Sequence, residues 1–255
     1  MTVSGLILRL AAPLQSWGEH STFGERDTQP YPTRSGILGL LAAAQGRPRT
    51  TGLADFFHLR LTVRVDRPGV LLTDFHTVGG GLPRDQTVPT AQGDRREEGK
   101  GTVVSHRHYL ADAAFTVAVE GPDELIHELS AALRHPTWAP YLGRRSCPPA
   151  EPILLASGLT DPVRALKRQV PLSRERPHTG DTVAVDFIYE TDIRDPHARA
   201  HLMDVPVSFD PLRRTYRPRA IKVRTEHLPA DLCGGHGVDQ LAALAEYAGS
   251  ARQGG

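Results

Sequence analysis

The hydrophobic pattern of this chain stops at residue 79 and does not resume until after residue 105. Gly79-Gly80-Gly81, Pro83, Pro89, Gly93, Gly99 and Gly101 punctuate the gap, and charged residues fill it. A stretch of this length without secondary structure is uncommon inside a compact domain; where it occurs it is functional or disordered. Strand signals stand on both sides. Residues 59–66 alternate strictly, which turns Leu59, Leu61, Val63 and Val65 toward a core and Arg60, Thr62 and Arg64 outward. Arg67-Pro68-Gly69 is a turn, residues 70–78 read as the returning strand, and residues 109–119 as the strand after the gap. The gap is therefore expected to be a projecting, mobile arm inserted in a sheet.

The rest of the pattern fits that frame. Leu6-Ile7-Leu8-Arg9-Leu10 reads as a buried first strand, followed by a loop through Tyr31. Thr33 or Ser35 can cap the helix that follows, and Gly46 with Pro48 ends it. Residues 123–133 form an amphipathic helix with Leu125, Ile126, Leu129 and Leu133 on one stripe, and Ile153-Leu154-Leu155 supplies another strand. Strand, helix, two strands, arm, strand, helix, strand predicts an α+β fold with a ferredoxin-like βαββαβ core, the frame also used by RNA-recognition domains. From Asp161 onward prolines are frequent and helices are not evident. Residues 1–158 are read as the main domain, 159–230 as a smaller β-rich region, and 231–255 as a terminal helix with a frayed tail from Gly249.

At 255 residues the chain can bury roughly three-quarters of its unfolded surface. No apolar run approaches the roughly 18 residues of a membrane span, so no membrane partner is expected. Cys147 and Cys233 are the only cysteines, which excludes a disulfide framework and suits a reducing cytoplasm. The net charge of +1 excludes general coating of nucleic acid, so any nucleic-acid binding must use a local basic surface.

Two segments carry such chemistry. Pro32-Thr33-Arg34-Ser35-Gly36 opens a helix, and Tyr141-Leu142-Gly143-Arg144-Arg145-Ser146-Cys147-Pro148 is a loop. Each sets arginine beside glycine and a hydroxyl. Glycine lets the main chain come close, arginine forks onto phosphate oxygens, and helix-start amides point at an anion. A positive charge at a helix start is unfavourable without an anion nearby, so Arg34 is expected to meet phosphate. Trp17 reads either as a lid on the core or as a platform for a stacked base. His106, His108 and Tyr109, with Lys100, offer the base, acid and cation of metal-independent RNA cleavage, or else simple phosphate contacts. Cys147 reads as a packed residue. Cys233-Gly234-Gly235-His236 holds only half of a zinc spacing, so neither metal nor cofactor is expected. The basic run from Arg213 to Arg224, with Tyr216, reads either as a charged edge strand or as a binding surface.

Residues 6–18, 32–41, 74–78, 107–117 and 141–148 resemble, in order, blocks of the CasD family, a subunit of the type I-E CRISPR Cascade surveillance complex. The resemblance covers the first half of the chain and weakens beyond it. It implies a ferredoxin-like core of the RAMP superfamily with a β-hairpin thumb over about residues 79–108. It also implies a non-catalytic subunit that binds and caps the five-prime handle of the CRISPR RNA. Neighbours would be the repeated CasC-type backbone subunit and the CasA-type large subunit, with target DNA reached only through the complex. Expected RNA-binding residues are Trp17, Arg34, Ser35, Gly36, Lys100, Arg107, His108, Arg144, Arg145 and Ser146. Expected subunit contacts are Arg84, Arg95, Arg96, Arg213, Arg214 and Tyr216. The alternative is an endoribonuclease that processes repeat RNA with Lys100, His106, His108 and Tyr109.

Overall fold

The apolar run near the N-terminus forms an inner strand of a sheet covered on both faces. The computed structural model describes residues 2–19, 24–90, 92–210 and 213–253. Along the chain these form β1 (Val3–Ala11), β2 (Leu14–Gln15), β3 (Glu25–Arg26), α1 (Arg34–Ala44), β4 (Arg60–Arg67), β5 (Val70–Val78), β6 (Val103–Ala111) and β7 (Ala114–Pro122). Then come α2 (Asp123–Arg134), β8 (Leu154–Leu159), α3 (Pro162–Arg168), β9 (Thr182–Thr191), β10 (Ala200–Ser208), β11 (Thr215–Pro229) and α4 (Gly237–Gln253). One sheet runs β10-β11-β9-β4-β7-β1-β8 and is antiparallel throughout. α1 joins β1 to β4 across β7, and α2 joins β7 to β8 across β1.

Leu6, Leu8 and Leu10 of β1 pack with Ile37 and Leu41 of α1 and Leu125 and Leu129 of α2. Ile7 points to the other face, where it meets Leu166 of α3 and Leu244 of α4. Burial on both faces is why this strand is written as an unbroken apolar run. Thr33 caps α1: its side chain accepts a hydrogen bond from the Gly36 amide. α2 opens on Asp123 and Glu124 and closes on Arg134, charges that match the helix dipole at each end.

Three expectations change. The stretch after residue 159 is not a separate region, because β9 hydrogen-bonds to β4, with Tyr189 opposite Thr62, and extends the same sheet. Its residues also enter both cores: Ile188 and Ile221 on one face, Phe187 and Leu228 on the other. The short helix α3, unmarked by any long apolar period, lies in it as well. The terminal helix runs from Gly237 to Gln253, through the start of the expected frayed tail; Gly254 and Gly255 lie outside the described residues, as do His20–Phe23 of the first loop and Ala91 of the arm.

The second change concerns β4. Thr62 and Arg64, expected outside, are buried beneath α3 and the chain that follows it, and Asp66 is fully buried with them. Arg64 and Arg9 flank Thr116 on neighbouring strands. The Asp66 carboxylate accepts from Arg64 Nε at 2.7 Å, Arg9 Nη1 at 2.8 Å and Thr116 Oγ1 at 2.8 Å. The remaining donors of Arg64 reach the carbonyls of Leu166, Val170 and Pro171, and those of Arg9 reach Glu151 and Ser173. Burial alone would raise the Asp66 pKa; the Arg64 and Arg9 charges outweigh it and hold it below the usual carboxylate range.

The third change concerns the arm. Strand 70–78 does not return into the large sheet, and residues 109–119 are not one strand. β5 pairs with β6 from Val70 opposite Ala111 to Val78 opposite Val103, so the projecting hairpin spans residues 70–111. The turn at Asp112, with φ 54°, separates β6 from β7. Residues 79–90 and 92–102 form its tip, built around Thr87, which is fully buried and bonds to Arg84 and Arg96. Among the described residues no helix is long and apolar enough to cross a membrane.

Asp66→Asn should destabilise the chain by about 3–5 kcal/mol in denaturant unfolding, since it leaves buried guanidiniums short of charge. Because the folded pKa of Asp66 is depressed, its contribution is present above the unfolded value of about 3.9 and disappears as pH falls through the folded value. The gap between wild type and variant should therefore narrow in acid.

Candidate nucleic-acid interface

A second, smaller sheet sits at the root of the hairpin. β6 is its spine, with β5 on one edge and both β2 and β3 on the other. β3 pairs parallel to β6, which sets Glu25 opposite His106 and Arg26 opposite Arg107. Alternation then divides the small sheet into two chemically distinct faces.

One face is basic. It carries Arg26, Arg107 and Tyr109, with Asp74 of β5 opposite Arg107, and the loop at 141–148 adds Arg144, next to the exposed Arg145. The Arg144 guanidinium lies 4.7 Å above the Tyr109 ring and donates to the carbonyls of Arg26 at 2.8 Å and Asp27 at 3.3 Å. Arg107 donates to Ser105 at 3.3 Å. Arg145 and Ser146 are exposed. Among the described residues no carboxylate forms an ion pair with Arg26, Arg107, Arg144 or Arg145.

The loop is rigid for reasons written in its sequence. The Cys147 amide donates to the Arg144 carbonyl at 2.9 Å, and the Leu142 amide to the Cys147 carbonyl at 2.8 Å. Leu142 and Cys147 are buried and plug it into the core. Gly143 has φ 83°, and a Cβ there would sit 1.6 Å from the Ser16 carbonyl oxygen. The loop thus touches the segment that leads into Trp17: the Ser16 amide donates to the Leu142 carbonyl at 3.2 Å. Burial pushes the Cys147 thiol up, so it is held protonated and packed.

The opposite face gathers Glu25, Thr73, Phe75, His106 and His108. Glu25 bridges His106 at 2.9 Å and His108 at 3.1 Å, and Thr73 meets the other nitrogen of His108 at 3.1 Å. The bonds to His108 and then His106 hold the Glu25 carboxyl below its usual range. Tyr109 lies on the basic face, and Lys100 sits in the tip, paired with Glu97 at 2.8 Å. The four residues expected for RNA cleavage therefore do not converge.

Other expected contacts turn inward. Arg34 is 4% exposed. Its Nη1 holds Glu190 at 2.7 Å, and its Nη2 donates to the carbonyls of Phe56 and Leu59 at 2.9 Å. Its backbone amide donates to Asp204 at 2.7 Å. The anion that the helix start demanded is supplied by the protein itself, from β9 and β10. Trp17 is fully buried, donates to Gln15 at 3.1 Å and packs on Gly36, where a Cβ would come within 2.7 Å of the ring. It is a lid on the core, with no face for a base. Ser35 is half-buried beside Thr33.

The basic run that leads into and along β11 divides. Arg219 pairs with Asp204 at 2.7 Å and Lys222 with Asp195, whereas Arg213 and Arg214 are exposed, Tyr216 is half-buried and Arg217 lies 5.2 Å over the Phe57 ring. In the tip, Arg84 and Arg95 are exposed, Arg95 also donating to the Thr87 carbonyl, and Arg96 is half-buried. Sequence reasoning missed Arg26 and Glu25, whose places depend on the parallel pairing of β3 with β6.

The profile of the CRISPR-associated protein family Cas5 matches residues 5–222. CRISPR system Cascade subunit CasD of Escherichia coli (strain K12) is 40% identical over 177 residues, covering 66% of this chain and 78% of that protein. A chain of a solved CRISPR RNA-guided surveillance complex aligns with a TM-score of 0.88 at 51% identity, covering 96% of this chain and all of that one. A crystal structure described as a Cas protein aligns with a TM-score of 0.61 at 34% identity, covering 91% of this chain and 98% of the other.

Gly143→Ala should lower the melting temperature far more than Gly158→Ala. Both glycines have positive φ, at 83° and 75°, a conformation that costs an L-residue about 1–2 kcal/mol. Only at Gly143 does the added methyl also strike backbone. Thermal unfolding of the two variants measures the difference.

Proposed function

The chain belongs to the CRISPR-associated Cas5 family, and from that premise we propose that it binds and caps the five-prime handle of a CRISPR RNA inside a type I-E surveillance complex. The observation that carries this reading is the basic face at the root of the hairpin. Arg26, Arg107 and Arg144 converge there, with Arg145 next in the chain, and among the described residues none of them forms an ion pair with a carboxylate, although Asp74 lies across the ladder from Arg107. Phosphate contacts of this kind position a strand, and an exposed sheet face suits unpaired RNA. The order β8-β1-β7-β4, with each helix crossing over one strand, supports a ferredoxin-like frame beneath that face.

The mechanism is grip and placement. Arg145 meets phosphate directly. Arg144 holds residues 26–27 against Tyr109, and so keeps Arg26 beside Arg107 while lending its own charge. The hairpin tip, through Arg84, Arg95 and Arg96, reaches the CasC-type backbone subunit. The exposed end near Arg213, Arg214 and Tyr216 faces the CasA-type large subunit. Target DNA is met through the assembled complex, in the cytoplasm. The RNA leaves uncut: the residue types for cleavage are split between two faces and the tip.

Arg145→Glu should weaken binding to labelled handle RNA without moving the melting temperature, because among the described residues no hydrogen bond or ion pair involves the Arg145 side chain. Arg144→Ala should do both. Loss of one phosphate contact should flatten the plot of log affinity against log salt by about 0.7. Fluorescence anisotropy across a salt series reads the slope, and a gel of the same samples should show intact RNA. An unchanged affinity in Arg145→Glu, or a specific cleavage product, would contradict the proposal.

A further inference from the structure

β5 hydrogen-bonds to β6 along its whole length, and among the described residues its other edge pairs with nothing. The strand contains no Lys, Arg, Pro or Gly. Lysine, proline and covering loops are what ordinarily stop an open edge from pairing with another chain. The edge strand β10 of the large sheet, by contrast, carries Pro206. β5 also exposes apolar side chains on both faces: Val70 is 72% exposed, Leu71 62%, Leu72 45% and Phe75 64%. An edge of this kind is a template for a further strand.

Its sequence specifies which strand. Residues 72–78 read Leu-Thr-Asp-Phe-His-Thr-Val, which is chemically symmetric about Phe75. If two copies pair antiparallel with the dyad at Phe75, Phe75 lies opposite Phe75, Asp74 opposite His76, Thr73 opposite Thr77 and Leu72 opposite Val78. Aromatic, carboxylate–imidazole, hydroxyl and apolar pairs are the cross-strand combinations that stabilise a sheet. Neighbouring registers lose this match; a dyad at Asp74, for example, sets two carboxylates face to face. Asp74 and His76 already lie 3.4 Å apart within one chain and are 44% and 40% exposed, so both are available to a second strand.

We propose that the free chain dimerises edge to edge through β5, antiparallel, with the two-fold axis at Phe75. The result is one continuous β6-β5-β5-β6 sheet spanning two copies. Such an isologous contact closes at two and does not propagate into a fibre. It gives the apolar edge an occupant before the chain meets RNA or another subunit, and it does not depend on the RNA-binding reading.

Sedimentation velocity of the full chain without RNA, over a concentration series, tests it. The wild type should shift from monomer to dimer as concentration rises. His76→Asp sets a second carboxylate opposite Asp74 and should abolish the dimer. The exchange Asp74→His with His76→Asp restores the complementary pair and should bring the dimer back. A monomer at every concentration, a dimer indifferent to His76→Asp, or an exchange variant that stays monomeric would each overturn the proposal.

Discussion

The carboxylate of Asp66 holds the two halves of this molecule together. It sits in the interior between Arg9 on β1 and Arg64 on β4, and those arginines spend their remaining donors on Glu151 and on the chain that runs from α3 to Ser173. A buried charge costs several kcal/mol unless paired and bonded, so the group forms as a whole or not at all. Once formed, it seals the second face of the sheet. It also fixes the ground from which the hairpin rises, because β5 begins at Val70, just beyond Asp66. Arg174 adds to this, donating to the carbonyl of Asp66 at 2.7 Å.

The basic face depends on that ground at one remove. β6 descends the hairpin and turns through Asp112 into β7, whose Thr116 bonds Asp66. The loop of Gly143 to Ser146 is seated on the far side, its main chain pressed against Ser16. The arginines are thus presented from rigid backbone, which lowers the entropy that binding a flexible strand must overcome. The charge balance of the chain fits this design. Arg9, Arg34, Arg64 and Arg219 neutralise internal carboxylates, and a small set on one face is left without a carboxylate ion pair among the described residues.

Local signals were legible where local physics decides. Thr33 as a cap, the stripe of α2, the inward side of β4, the packed Cys147 and the glycine-bearing loop all follow from short-range rules. What escaped depends on distant chain. Arg34 meets carboxylates in place of the expected phosphate, because Glu190 and Asp204 lie more than 150 residues away and nothing near Arg34 announces them. Arg64 looked solvent-facing because the cover over it is made by a segment with little period of its own. Residues 70–78 read as a strand, which they are, yet alternation cannot say which sheet a strand joins. Arg26 sits in a loop without pattern, and only its pairing beside Arg107 gives it meaning. The order of strands and helices in the first half was readable; the extension of the same sheet by β9, β10 and β11 was not.

The central claim is that RNA lies on the face of Arg107 and Arg145 and avoids the face of Glu25 and His106. A photo-crosslinking side chain placed in turn at positions 145 and 106 of the chain, assembled with labelled guide RNA, addresses this directly. Strong RNA crosslinking from position 145 and little from position 106 is the predicted result. Crosslinking from position 106 alone would place the strand on the wrong side of the sheet and contradict the account.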